Sequence, residues 1–95
     1  MDLTITEETA NWYKEELHIE PPAYIRFFPR YGFGGHIPGF SIGINLDTPE
    51  DIYVETEVGE IVFYIEKKDA WYFNGIDLHV TYDDKLREPR FSYDQ

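Results

Sequence analysis

The sequence predicts an α+β fold: a mainly antiparallel, sandwich-like sheet with an N-terminal helix and a short second helix. Three observations carry this expectation. Most of the chain alternates apolar and polar residues with the period of two that marks a half-buried strand, most cleanly from Phe40 to Leu46. Only the stretch after Thr6 has a clear helical stripe, with Ala10, Tyr13 and Leu17 recurring at i, i+3 and i+7. Ninety-five residues make one domain, 1–95, with a single modest core. Eight Tyr, seven Phe and two Trp mean that aromatic rings fill much of that core.

Each element follows from local chemistry. Leu3-Thr4-Ile5 is a short lead-in strand. Thr6 is an N-cap, and Glu7 and Glu8 place carboxylates in the first helical turn, where they complement the helix dipole. The helix runs through Leu17, and Pro21-Pro22 blocks its continuation. Ala23–Phe28 is a strand with Ile25 and Phe27 on one face and Tyr24, Arg26 and Phe28 on the other; Pro29 stops it or marks an edge. Residues 30–39 form a glycine-rich loop. Phe40–Leu46 is the next strand, with Phe40, Ile42, Ile44 and Leu46 inward, antiparallel to the first. Asp47–Asp51 is a turn by composition. Ile52, Val54 and Thr56 mark a strand, and Val58-Gly59 a hairpin turn.

Ile61–Ile65 is apolar on both faces and is expected at the sheet centre. Lys67–Phe73 has one or two helical turns, with Trp71, Tyr72 and Phe73 in the core, and Asn74-Gly75 is a turn. Ile76–Tyr82 is a half-exposed strand, Asp83-Asp84 a turn, and Phe91 and Tyr93 a last short strand, with Asp94-Gln95 fraying.

Charge and composition bound the function. Nineteen acidic against eight basic residues give a net charge of −11, which repels nucleic acid and anionic membranes. No apolar run approaches the roughly 18 residues of a membrane span. The N-terminus MDLTITEE has neither a basic nor an apolar signal region, so a cytoplasmic location is expected. The absence of cysteine removes thiol nucleophiles and thiolate metal sites. No Ser–His–Asp arrangement and no histidine pair at metal-ligand spacing is present, so the chain is read as a non-enzyme.

One stretch departs from the rest. Arg26 to Gly43 holds five of the seven glycines, and no acidic residue occurs from Pro21 to Leu46. The candidate ligand or partner loop is Arg26, Arg30, Tyr31, Gly34, Gly35 and His36. Arg26 and Arg30 could join glycine-exposed N–H groups to hold a carboxylate or phosphate; alternatively Arg26 pairs with an acidic strand and Arg30 is solvated. His36 is either a contact or ligand at the loop or an exposed histidine. Tyr31, Phe33, Ile37 and Phe40 are either a partner-binding patch or a lid folded onto the sheet. The glycines match neither a Walker loop nor a dinucleotide fingerprint.

The order of elements resembles the HesB/IscA-like family of A-type iron–sulfur cluster biogenesis domains. The resemblance runs from about Ile5 to Phe91. It is carried by YIRFF with the arginine–glycine loop after it, by the D-x-P-x-D-I turn at Asp47–Ile52, and by the aromatic–x–G–x–x–L–x–V segment at Phe73–Val80. It is closest to the cysteine-lacking HesB-like proteins of low-GC Gram-positive bacteria. Cluster-carrying members use one loop cysteine and a C-terminal Cys-x-Cys pair. The loop position falls at about Gly34 to His36, and the C-terminal pair would follow Phe91, where this chain reads SYDQ. The resemblance therefore implies the fold without the ligands: no cofactor is expected, since thiolates hold such clusters. The function it implies is protein binding, to an iron–sulfur assembly component or to another copy of the chain. The alternative is a small-anion or metal-binding module using loop 30–39.

Overall fold

The alternating stretches pair into two sheets in a computed structural model that describes residues 1–94. The order is β1 (Leu3–Ile5), α1 (Glu7–Glu16), β2 (Ala23–Tyr31), β3 (Phe40–Leu46), β4 (Ile52–Val58) and β5 (Ile61–Glu66). A 3-10 turn (Lys67–Asp69), α2 (Ala70–Phe73), β6 (Asp77–Asp83) and β7 (Glu88–Asp94) complete it. The larger sheet has the order β3-β2-β5-β4 and the smaller β1-β6-β7. Pairing is more mixed than the sequence predicts. The pairs β2–β3, β4–β5 and β6–β7 are antiparallel, but β1–β6 and β2–β5 are parallel. The reason is connectivity: each parallel pair joins strands far apart in sequence, which no local pattern can reveal.

α1 begins as expected: Thr6 Oγ1 accepts from the Thr9 amide, and Glu7 and Glu8 occupy the first turn. Its buried face is Thr9, Ala10 and Tyr13, while Leu17 serves as the C-cap. The Tyr13 ring meets Phe27 at 6.3 Å and Phe63 at 5.9 Å. Phe27 stacks on Phe63 at 5.9 Å and touches Phe91 edge-on at 5.7 Å. One aromatic core thus links the helix, the larger sheet and the smaller one. β5 lies between β2 and β4 with Ile61, Phe63, Tyr64 and Ile65 buried, as its double-sided apolar pattern predicts.

Five local expectations are corrected. β2 continues through Pro29 to Tyr31 rather than ending at Phe28. β5 pairs with β2 only as far as Arg26, so Pro29 sits where the strand has β3 alone as neighbour. Leu46 is exposed rather than inward, because it lies at the outer end of edge strand β3. The hairpin turn is Gly59-Glu60, both with positive φ, not Val58-Gly59; Val58 pairs with Ile61. Trp71 is exposed, although Tyr72 and Phe73 are buried. Asp94 is paired with Asp77 in β7 instead of fraying; Gln95 lies outside the described residues.

The Asp47–Asp51 turn is held from below. Glu66 is buried, and its two carboxylate oxygens accept from the amides of Glu50 (2.8 Å) and Asp51 (2.7 Å). Tyr64 Oη donates to the Asp47 carbonyl at 3.1 Å.

Candidate partner-binding surface

Beyond Arg26 the β2–β3 hairpin extends past the reach of β5. Its tip is the Gly32–Gly39 loop. The loop closes on itself: the Gly32 amide donates to the Gly39 carbonyl (3.1 Å), Gly35 to Phe40 (3.0 Å), and Phe40 to Ile37 (3.1 Å). Gly34 and Gly39 take φ of 93° and 87°, a region that disfavours a side chain. Gly35 is required for another reason: a Cβ there would overlap Tyr72 Oη and the Phe40 carbonyl oxygen.

His36 is not the exposed histidine of one sequence reading. Its ring lies 4.5 Å from Tyr72, 4.6 Å from Tyr93 and 6.4 Å from Phe73. His36 Nδ1 and Tyr72 Oη are both buried without a hydrogen-bond partner among the described residues. Burial first, and the adjoining Tyr72 phenol second, push the Tyr93 phenol above its ordinary range. The two hydroxyls adjoin without meeting hydrogen-bond geometry. His36 therefore anchors the loop on the aromatic core. Among the described residues, no group of three or more His, Asp or Glu side chains is placed to hold a metal ion.

The loop aromatics divide between the two readings offered by the sequence. Ile37 and Phe40 are half-buried against the core. Tyr31 and Phe33 project, at 88% and 97% exposure. Tyr31 stacks on Phe40 at 5.3 Å, and Phe40 meets Trp71 edge-on at 5.6 Å. Trp71 is 56% exposed. A run of aromatic surface thus passes from the hairpin tip onto α2. The sequence reading missed Trp71, although a signal was present. Consecutive helical residues are about 100° apart, so Trp71, Tyr72 and Phe73 cannot all face one core.

The two arginines occupy separate surroundings on one face of β2. Arg26 donates from Nε (3.3 Å) and Nη2 (2.7 Å) to Asp69 Oδ2, with Asp47 3.7 Å away. Burial works against the Arg26 charge, but Asp69, Asp47 and Glu66 outweigh it and raise its pKa. Arg26 also lies over the Phe28 ring at 5.2 Å. Arg30, two residues beyond Phe28, is exposed and has no ion-pair partner among the described residues. Its Cδ lies over Gly43. No hydrogen bond or ion pair joins either arginine to His36 among the described residues, and the His36 ring is packed among aromatic rings. Lys68, one helical turn before Trp71, is also exposed and unpaired among the described residues.

A separate groove of about 310 Å³ lies between α1, β3 and β7. It is lined by Trp12, Tyr13, Ile42, Ile44, Pro89 and Phe91, with Glu88 its one charged side chain. It lacks the convergent polar groups that fix a small ligand.

No protein-family model matches the chain. The chain is 45% identical over 94 residues to a Bacillus subtilis (strain 168) protein named "Pyruvate dehydrogenase inhibitor", covering 98% of this chain and 99% of that one. It is 30% identical over 92 residues to an uncharacterised protein of Staphylococcus saprophyticus, covering 93% and 94%. An uncharacterised protein of Staphylococcus aureus (strain MRSA252) is also 30% identical, over 97 residues, covering 98% and 97%. The fold matches a crystal structure of IscA with the [2Fe-2S] cluster at a TM-score of 0.55. That match spans 96% of this chain and 79% of IscA at 16% identity. The HesB/IscA-like fold expected from the order of elements is therefore present.

Proposed function

The chain belongs to the family that includes the Bacillus subtilis protein named a pyruvate dehydrogenase inhibitor, and from that premise we propose that it is a non-enzymatic, protein-binding domain that inhibits a pyruvate dehydrogenase by direct association. The observation that carries this reading is 45% identity across essentially the full length of both proteins. A shared surface, and not only a shared core, is expected at that level. The exposed aromatics at the hairpin tip support it, because large apolar side chains standing in water are what protein interfaces cover.

Cluster carriage is not part of the proposal. The chain has no cysteine. At Gly35, inside the segment where the fold family places its loop ligand, the backbone is pressed against Tyr72 Oη and Phe40. A ligating side chain at that position has no room, and His36 beside it is turned into the aromatic core. The residues present do not suit a thiolate-held cluster.

The experiment is a titration of purified pyruvate dehydrogenase with this protein. Pyruvate-dependent NADH formation and direct association are both measured. Activity should fall in a saturable way at the concentrations where a complex forms. Full activity and no complex at a large molar excess would sink the proposal.

A second reading, a small-anion or metal module at loop 30–39, is favoured by one observation: His36 Nδ1 and Tyr72 Oη are buried and unpartnered. It is weakened by the loop itself, since the Gly32 and Gly35 amides already serve the loop's own carbonyls. A melting temperature raised by phosphate or a divalent metal, and no longer raised in His36→Ala, would favour it.

A further inference from the structure

We propose that the aromatic run of Tyr31, Phe33, Phe40 and Trp71 is the surface that docks on the target enzyme, and that the target presents an apolar cleft rimmed by carboxylates. This inference rests on the protein-binding reading above and identifies the surface and chemistry of that binding.

The apolar half of the argument is geometric. Phe33 and Tyr31 are the two most exposed large hydrophobic side chains among the described residues. Isolated exposed apolar side chains need no explanation, but Tyr31 joins a stack that continues through Phe40 to Trp71, and Phe33 stands in the loop two residues beyond it. Aromatic residues dominate the energetics of protein interfaces because each buries a large area with few rotatable bonds. The tip is also preformed. Three backbone hydrogen bonds close the loop, Gly35 is packed against Tyr72, and His36 is wedged among three rings. Little ordering entropy remains to be lost when it binds.

The charge half specifies the partner. The chain carries 19 acidic residues, yet none lies between Pro21 and Leu46. Two exposed cations, unpaired among the described residues, adjoin this run in sequence: Arg30, which strand alternation turns to the face of the hairpin opposite Tyr31, and Lys68, one turn before Trp71. Arg26 is committed to Asp69 and Lys67 to Asp51, while Lys14 on α1 and Lys85, Arg87 and Arg90 in the β6–β7 hairpin also lack an ion-pair partner among the described residues but lie on other elements. An aromatic surface built largely from an acid-free stretch, with free cations at its margins, fits an apolar cleft edged by carboxylates, and the acidic remainder of the surface repels such a partner in wrong orientations.

The test compares four proteins in the pyruvate dehydrogenase titration: wild type, Tyr31→Ala/Phe33→Ala, Arg30→Glu/Lys68→Glu, and Leu86→Ala. Leu86 is an exposed residue in the β6–β7 turn and serves as the surface control. Every substituted residue is solvent-exposed, so melting temperatures should match wild type and confirm folding. The aromatic double variant should bind and inhibit more weakly by roughly tenfold or more. The charge reversal should slow association and weaken binding several-fold, with the loss shrinking as salt is raised. Leu86→Ala should behave as wild type. If wild type itself neither binds nor inhibits, the functional reading and the docking surface fall together. If wild type inhibits and Tyr31→Ala/Phe33→Ala inhibits equally well, only the docking surface is overturned. If wild type is a dimer and Tyr31→Ala/Phe33→Ala converts it to a monomer without weakening inhibition, the patch joins copies of this chain and the proposal also fails.

Discussion

Gly35 and Asp69 show how single residues hold the surface in place, each by a different force. Gly35 is needed for space: its Cα faces a phenolic oxygen and a carbonyl, with no room for a methyl group. Gly35→Ala should cost about 1–3 kcal/mol by overpacking, read as a lower urea midpoint with an unchanged slope. The same substitution should also shift the Tyr31 and Phe33 signals in NMR spectra, because the loop must move to admit it. Asp69 is needed for charge: it accepts both hydrogen bonds from a largely buried guanidinium. Asp69→Asn should lose roughly 1.5–3 kcal/mol, less whatever Asp47, 3.7 Å from Arg26, recovers. The sequence reading already offered an acidic partner for Arg26, since an arginine on a strand of an acidic protein finds one readily. It could not choose Asp69, which is 43 positions away.

Among the elements, the turn before β4 is the most dependent on a distant group. Its two amides, from Glu50 and Asp51, end on the Glu66 carboxylate at the close of β5. Removing that acceptor leaves two donors unmet near a buried position. Glu66→Ala should therefore destabilise by about 1–3 kcal/mol per orphaned group, and amide exchange should speed up selectively at Glu50 and Asp51. Retained slow exchange at those amides would contradict this account. α1, β1 and β3 were legible in the sequence because capping, periodicity and alternation are local. The end of β2 was legible only as one of two readings of Pro29, a stop or an edge, and the edge is what the structure has. A proline ordinarily stops a strand, but here the neighbouring strand ends first, so Pro29 meets no second partner.

For the molecule as a whole, pH acts through buried phenols. Burial first, then the carboxylates of Asp47 and Glu66, push Tyr64 up to about 12; burial also raises Tyr13 and Tyr93. Each folded-state value lies above the ordinary tyrosine value of about 10. The folded state thus holds protons that the unfolded chain releases. The stabilisation is fully present below about pH 10 and is lost as pH rises toward 12 and beyond. The melting temperature should fall steeply above pH 10, and Tyr64→Phe should flatten part of that fall. The sequence by itself determined the helix with its cap, the alternating strands, the fold they resemble, the acid-free stretch and the absence of thiolates, because these depend on composition and neighbours a few residues apart. Only the tertiary structure decided the two parallel pairings, the inward turn of His36, the commitment of Arg26 to Asp69, and the joining of Trp71 to Tyr31 through Phe40. Those depend on which distant segments meet once one small core must bury as many rings as it can, and the rings left outside it form the surface on which function is proposed.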